Sequence, residues 1–185
     1  MGEIKVHEFV SLDGVYEDPR WTVPFGFTEG LGRAIAELTG SSTAILLGRR
    51  TWEAFAPAWS GRTAEDDPGA PFFNDTTKHV VSSTLASTDA WQNTTVVGGY
   101  DPQAIRELKN STSGTIYVSG SGTLVRALVA DGLVDELHLV VYPIVLGTGA
   151  RLFPDGTPRT RLDLVGTEAF ENGVLHLTYQ PSSEQ

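Results

Sequence analysis

Apolar and polar residues alternate along most of the chain in a pattern that predicts strands and helices in turn. The run Lys5 to Ser11, rich in Val and Phe, predicts a first strand because it stops at the turn dipeptide Asp13-Gly14. Apolar residues then recur at helical spacing through 28–38, and Thr28 is a typical N-cap residue for that helix. The same reasoning predicts strands at 43–47, 79–82, 94–97, 115–118 and 137–142, and helices at 49–55, 102–109 and 123–130.

The end of the chain predicts a hairpin. Two strand patterns, 161–170 and 174–179, flank Glu171-Asn172-Gly173, which is a strong turn signal. With about eight strands and four helices, the pattern favours an α/β fold with a mostly parallel sheet and an antiparallel C-terminal edge. Such sheets bind ligands at the carboxyl ends of their strands, so the turns at 11–14, 48–51, 82–85 and 119–123 become the candidate binding segments.

One long segment, Ser60 to Thr77, carries no periodic pattern and is predicted to be irregular. It is acidic and contains Pro and Gly, and a loop of this length in a compact domain is usually functional or mobile. It also contains Phe72-Phe73, which favours packing of part of the loop against the core.

Composition narrows the classes of protein. A chain of 185 residues with 40% hydrophobic and 19% charged residues is predicted to form one globular domain spanning 1–185. The net charge of −10 argues against nucleic acid or anionic lipid as a partner. No cysteine is present, and no run approaches the 18 apolar residues that a membrane span needs. The N-terminus has no apolar signal-peptide region, so we expect a cytoplasmic protein.

Metal binding is not expected from the histidine pattern. The four histidines, His7, His79, His138 and His176, are spread along the chain, and no pair has metal-ligand spacing. We therefore predict no metal site.

The segment Gly48-Arg49-Arg50-Thr51 follows a buried strand and opens a helix. A helix N-terminus offers unpaired N–H groups and a partial positive charge, so two arginines there predict a local anion site in an acidic chain. The alternative is that both arginines simply face solvent while Thr51 caps the helix.

Two further turns have residues that suit phosphate. Ser119-Gly120-Ser121-Gly122-Thr123 is small enough for a phosphate to approach the backbone, although Val125 stands where a dinucleotide fingerprint has its third glycine. Ser82-Ser83-Thr84 ends another strand with hydroxyls. Either segment could instead be a plain turn or cap. A hydrolase with a serine nucleophile at 119–121 is a weaker possibility, because no His or Asp pairing in the sequence supports it.

The order of these segments resembles the dihydrofolate-reductase-like superfamily. Within it, the chain is similar to stand-alone bacterial proteins related to the C-terminal reductase domain of the bifunctional riboflavin-biosynthesis deaminase/reductase. The resemblance covers most of residues 4 to 180. The matching segments are Ser11-Leu12-Asp13-Gly14, Leu47 to Glu53, Phe73-Asn74, Lys78 to Leu85, Tyr117 to Gly122, Gly132 to Leu137, Pro143, Leu146 to Gly149 and Leu152-Phe153.

That resemblance implies a three-layer α/β/α fold that binds NADPH across the carboxyl edge of the sheet, and a homodimer. It assigns the 2′-phosphate side of the cofactor to Gly48, Arg49, Arg50, Thr51, Ser82 and Ser83, and the pyrophosphate to Gly120, Ser121, Gly122 and Thr123. It implies a reductase similar to dihydrofolate reductase or to 5-amino-6-(5-phosphoribosylamino)uracil reductase, acting on a small heterocyclic substrate.

The substrate side departs from the family pattern. The segment 21–24 is similar to the one that leads into the substrate helix of dihydrofolate reductases, yet Gly26 stands where those enzymes have an acidic residue. Asp13, at the carboxyl end of the first strand, is our candidate for proton transfer or for positioning a water. The candidate substrate-binding residues are Tyr16, Trp21, Phe25 and Glu29. Because of Gly26, a non-catalytic nucleotide-binding or interaction protein on the same scaffold stays open.

Overall fold

The computed structural model describes residues 1–182, and its centre is an eight-stranded sheet. The strands are β1 (Glu3–Ser11), β2 (Ser42–Gly48), β3 (Thr77–Val81), β4 (Thr94–Gly98), β5 (Thr115–Ser119), β6 (Glu136–Tyr142), β7 (Leu162–Ala169) and β8 (Leu175–Pro181). Their spatial order is β4-β3-β2-β5-β1-β6-β8-β7. The pairs from β4 to β6 are parallel, whereas β6, β8 and β7 pair antiparallel. The predicted α/β class and the antiparallel C-terminal edge are confirmed.

Five α-helices cover the two faces of the sheet. They are α1 (Glu29–Gly40), α2 (Arg49–Trp59), α3 (Ala70–Asp75), α4 (Pro102–Ser111) and α5 (Gly122–Ala130), and a 3₁₀ helix spans Pro19–Phe25. Helices α1, α2 and α3 pack with Leu47 on one face, whereas α4 and α5 pack with Leu46 on the other. Neighbouring residues of a strand point to opposite faces, so the alternation along β2 produces the three-layer arrangement.

Two predicted boundaries agree closely with the structure. The hydroxyl of Thr28 accepts a hydrogen bond from the amide of Leu31 at 3.2 Å, so Thr28 is the N-cap of α1. The hairpin between β7 and β8 turns at 171–173, and Gly173 has φ of +81°, a conformation that favours glycine.

Helix α3 lies inside the segment that the sequence pattern predicts to be irregular. It is too short for a helical period to be visible, and it is fixed by tertiary contacts instead. Phe73 is buried, and the side-chain Nδ2 of Asn74 donates to the backbone carbonyls of Trp59 and Arg62. The buried ammonium of Lys78 donates to the carbonyl of Phe73 at 2.8 Å. These contacts hold part of the long loop on the core, as Phe72-Phe73 suggested.

Within residues 1–182, none of the helices has the length and apolar character that a membrane crossing requires.

Candidate functional site

The topology places a crevice between β2 and β5. These neighbouring strands are followed by helices on opposite faces of the sheet, α2 and α5, so the connections leave the carboxyl edge in opposite directions. Ligands bind at such switch points in open α/β sheets. Here the crevice is a cleft of about 810 Å³, which we call the central cleft. The predicted site residues that line it are Tyr16, Gly48, Arg49, Arg50, Thr51, Gly120, Ser121, Gly122 and Thr123.

A hydroxyl pair joins the two turns that form the floor of the central cleft. Ser121 Oγ accepts the amide hydrogen of Gly48 at 2.8 Å and lies 2.6 Å from Thr51 Oγ1. A Cβ at position 48 would lie only 2.6 Å from the Ser121 hydroxyl, so the approach requires glycine there. Ser121 has φ of +68°, which is costly for a residue with a side chain. The N-termini of α2 and α5 therefore open onto one space.

At the end of the central cleft where the N-termini of α2 and α5 meet, positive charge comes from two arginines of α2. Arg49 forms a double hydrogen bond to Glu53, at 2.8 and 3.0 Å. Arg50 is exposed and makes no salt bridge within the described part of the chain. Since the partial positive charges of two helix N-termini add to the Arg50 guanidinium, this end of the cleft favours an anion.

Tyr16 lies directly on the first turn of α5. A Cβ built on Gly122 would be 2.3 Å from Tyr16 Cζ, so the phenol ring is in contact with the backbone of that turn. The preceding residue, Val15, is buried and its amide donates to the hydroxyl of Ser11. The loop after β1 thus positions an aromatic ring over the glycine-rich turn.

Glu8 on β1 is a cleft residue that the sequence patterns did not identify. It is buried, lines the central cleft, and its Oε1 atom has no hydrogen-bond partner among the described residues. By alternation its side chain shares a sheet face with Val6 and Val10, both in the apolar core. Burial raises the pKa of Glu8 to about 8, against a smaller opposing effect of Arg126. The carboxyl group is therefore un-ionised near neutral pH.

His7, the neighbour of Glu8, also reaches the cleft. Its Nδ1 lies 3.1 Å from the hydroxyl of Tyr117, while its buried Nε2 has no partner in the part of the chain that the structure describes. Burial, followed by the charges of His138 and His176, lowers the pKa of His7 to about 3. The imidazole is thus neutral, with one ring nitrogen left for a ligand.

A signal for Glu8 is present in the sequence. Along β1, the positions of the face that packs against α5 hold Ile4, Val6, Glu8 and Val10, so one carboxyl interrupts an otherwise apolar face. A buried, unpaired carboxyl is costly, and such groups cluster at functional sites. No comparable signal marks His7.

Asp13 lies outside the cleft lining. Its carboxylate accepts hydrogen bonds from the Ser11 hydroxyl at 2.7 Å and from the amides of Leu146 and Gly147 at 3.1 and 2.9 Å. These three hydrogen bonds, the one from Ser11 first, lower the pKa of Asp13 to about 2. This geometry fits an anchor between the loop after β1 and the turn at 146–147 better than a proton donor. A catalytic role for Asp13 stays a prediction.

The other predicted substrate residues lie beside the cleft rather than in it. Trp21 and Phe25 pack edge-on against Tyr142, with ring centroids 5.5 and 5.4 Å away. Glu29 is exposed at the start of α1 and does not line the cleft. The structure therefore brings Tyr16, but not these three residues, to the cleft.

Ser82 and Ser83 follow Val81, which lines the cleft, but neither serine lines it. Ser82 is buried, and its hydroxyl accepts the amides of Thr84 and Leu85 at 3.1 and 2.9 Å. The acceptor positions of its oxygen are thus used within its own turn, whereas Ser83 is exposed. Cofactor binding by these serines stays a prediction.

With this geometry in view, the comparisons with known proteins decide the family. The sequence model for the RibD C-terminal domain matches residues 3–176. The chain belongs to the RibD C-terminal domain family. The Bacillus subtilis (strain 168) protein YyaP, described as uncharacterized, is 35% identical over 77 residues, which are 42% of this chain and 41% of YyaP. The match thus spans well under half the length of that curated relative.

Solved structures show the same fold at low sequence identity. A Shewanella sp. PV-4 protein assigned to riboflavin biosynthesis superposes with a TM-score of 0.79 at 18% identity, over 97% of this chain and 99% of that chain. A Thermotoga maritima deaminase/5-amino-6-(5-phosphoribosylamino)uracil reductase gives 0.69 at 16% identity, over 98% of this chain and 57% of that chain. Enterococcus faecalis dihydrofolate reductase, solved with NADP(H), gives 0.65 at 14%, over 98% and 97% of the two chains. The predicted dihydrofolate-reductase-like fold is confirmed.

Proposed function

We propose that this protein is an NADPH-dependent reductase of a small heterocycle of the pterin or pyrimidine type. One observation carries the proposal. The central cleft has one end where two helix N-termini meet Arg50, which makes no salt bridge among the described residues, and this end would favour an anion. It also has a buried part where His7 and Glu8 each leave a polar atom without a partner among those residues. A phosphorylated cofactor matches the first end, and a neutral reacting substrate group matches the second.

The phosphate end is formed by the two joined turns. Arg49 and Arg50 would hold the 2′-phosphate, and the backbone from Gly120 to Thr123 would hold the pyrophosphate. When bound, NADPH supplies the hydride. The chain supplies orientation, with Tyr16 as part of the cleft wall.

Fluorescence titration with NADPH and with NADH tests the cofactor site. We expect tighter binding of NADPH, because only NADPH carries the 2′-phosphate. Arg50→Ala and Arg49→Ala should each weaken NADPH binding by about ten- to a hundred-fold, the value of one charge-assisted hydrogen bond, and should leave NADH binding nearly unchanged.

Arg33→Ala is the matched control, since Arg33 lies on α1, is paired with Glu168 and does not line the cleft. Equal affinity for both nucleotides, or equal losses in Arg33→Ala and Arg50→Ala, would contradict the assignment of the 2′-phosphate. Absence of binding of either nucleotide would overturn the reductase proposal. Binding without oxidation of NADPH by any pterin or pyrimidine would favour the non-catalytic alternative.

Two broader properties belong to the same proposal. A homodimer is implied by the resemblance. The edge strand β7 offers an apolar surface for it, because Leu164 and Val165 have exposed fractions of 54% and 52%. Sedimentation velocity would give the oligomeric state.

A cytoplasmic location fits a reductase that draws on the cellular NADPH pool.

A further inference from the structure

Two buried polar atoms without partners lie next to each other along the chain. Among the described residues, His7 Nε2 and Glu8 Oε1 are the enclosed side-chain nitrogen and oxygen atoms that make no hydrogen bond. Buried polar groups are nearly always hydrogen-bonded, so each such exception needs a cause. Both residues line the central cleft, and a ligand in the cleft would supply the partners that the protein does not.

The position of the pair on β1 follows from unequal strand lengths. β1 pairs with β5 only as far as His7, opposite Ser119, whereas its pairing with β6 continues to Ser11. Beyond His7, β1 therefore has no neighbour on the β5 side, and the chain of β5 turns away at Gly120. The central cleft reaches β1 at this point, where the pairing with β5 has ended and the pairing with β6 continues.

The electrostatic character of the pair differs from that of the phosphate end. His7 is uncharged because of its burial, and its Nδ1 is already engaged by Tyr117. Glu8 is buried on the sheet face that it shares with Val6 and Val10, and Arg126 on α5 is the nearby cation whose effect is smaller than that of burial. A charged reacting group beside Glu8 would leave water without a counter-ion, whereas a neutral one would gain a hydrogen bond from the Glu8 carboxyl.

We propose that Glu8, as an un-ionised carboxylic acid, holds the reducible end of the substrate and donates the proton that accompanies hydride transfer, whereas His7 points to the opposite face of the sheet and does not contact that end. The substrate class that fits is an uncharged C=N or C=O group. This inference rests on the proposed function, because the hydride comes from NADPH.

The reaction balances with the groups named. The carbon of the C=N or C=O group receives a hydride from the reduced cofactor, and the π bond breaks toward the heteroatom. The Glu8 O–H bond breaks and its proton joins that heteroatom. The products are the amine or alcohol, the oxidised cofactor and a Glu8 carboxylate, which regains a proton from water after the product leaves.

Glu8→Gln separates proton donation from packing, since the amide has nearly the same shape but no acidic proton. With saturating NADPH and 7,8-dihydropterin as the neutral C=N probe, we expect kcat to fall about 100-fold or more, within the range typical of general acids. KM should change by only a few fold, and Glu8→Asp should recover part of kcat. Glu65→Gln, an exposed carboxyl outside the cleft, is the control.

A second readout does not depend on turnover. Infrared difference spectra of protein labelled with ¹³C-glutamate should contain a protonated carboxyl band at neutral pH that is absent from Glu8→Gln. The band should disappear as the pH rises through about 8, with Arg126, Tyr117 and His7 as the ionisable groups around it. Adding 7,8-dihydropterin alone should shift the band.

Preference for a neutral substrate has its own test. In the presence of NADPH, 4-nitrobenzaldehyde should be reduced at least about tenfold faster than its anionic analogue 4-formylbenzoate.

The outcomes separate this inference from the proposed function. If NADPH does not bind, the reductase proposal fails, while the infrared band still decides the state of Glu8. If NADPH binds but the band is absent at neutral pH, or if Glu8→Gln retains full turnover, the assignment of Glu8 is wrong. Equal rates for the two aldehydes would overturn the inferred substrate class.

Discussion

The hydroxyl oxygens of Thr51 and Ser121 lie 2.6 Å apart and join the first turns of α2 and α5. The two residues are 70 positions apart in the chain, and each follows a strand that ends at the same edge of the sheet. Because Ser121 also accepts the Gly48 amide hydrogen, one side chain fixes the spacing of the two helix N-termini at the proposed phosphate end of the central cleft.

Ser121→Ala should therefore weaken both folding and cofactor binding. Loss of its hydrogen bonds should lower the free energy of unfolding by about 1–2 kcal/mol, measured by urea denaturation. Ser121→Gly should lose less, since it relieves the left-handed backbone by roughly 1 kcal/mol. Ser111→Ala, which removes an exposed hydroxyl at the end of α4, is the control. Equal stability of Ser121→Ala and Ser111→Ala would contradict the role of the hydroxyl pair.

Glu8 gives a prediction on stability against pH. Its folded pKa, about 8, is above the ordinary value of 4.5, so between these values the folded state holds a proton that the unfolded state has lost. The contribution of Glu8 to the free energy of unfolding is thus fully present below pH 4.5 and is lost as the pH rises to about 8, at up to roughly 1.4 kcal/mol per pH unit.

Glu8→Gln removes this dependence. Above pH 8 it should be more stable than the wild type by a few kcal/mol, and near pH 4 the difference should largely vanish. Denaturation at a series of pH values checks the difference curve, with Glu65→Gln as the reference. A flat difference curve for Glu8→Gln would mean that the buried carboxyl is ionised throughout or is exposed.

Gly122→Ala should displace the Tyr16 ring, because the added methyl group would lie 2.3 Å from Tyr16 Cζ. We expect a loss of roughly 1–3 kcal/mol in the free energy of unfolding, the usual effect of overpacking. In Tyr16→Ala the same glycine substitution should cost much less. A double-mutant cycle measures this coupling, and additive losses would show that the two residues do not touch in solution.

Asp13→Asn should loosen the turn at 146–147. An asparagine side chain cannot accept both the Leu146 and the Gly147 amide as the carboxylate does. Hydrogen exchange at these two amides should accelerate. The stabilisation from the ionised Asp13 is present at neutral pH and should fade as the pH falls from 3.8 toward 2. Turnover should fall less than in Glu8→Gln; a larger fall would return the proton-donor role to Asp13.

The fold was largely predictable because its elements carry local signals. The Thr28 cap, the apolar run of β2 and the turn at 171–173 are all set by neighbouring residues, and the structure agrees with each. Helix α3 was not predictable, since it depends on Asn74 and Lys78 contacts with other segments rather than on a period of its own.

The candidate site also contains some residues that local sequence signals indicate and others that they do not. The Arg49-Arg50 and glycine-rich turns could be identified because helix starts after buried strands have a sequence signature. The two amides that Asp13 accepts from Leu146 and Gly147 could not be predicted, since they are more than 130 residues away and no local pattern indicates them. Glu8 was detectable only by asking which face of β1 its side chain occupies.

The separate origins of the two ends of the cleft bear on how this protein could diversify or be engineered. The phosphate end belongs to loops and helix starts, where Arg50 is exposed and replaceable. The reacting end belongs to β1, which is hydrogen-bonded to a strand on each side. Substitutions at the surface could thus change the cofactor preference without disturbing β1. Substitution of the single buried residue Glu8 could change the reaction while nucleotide binding is retained.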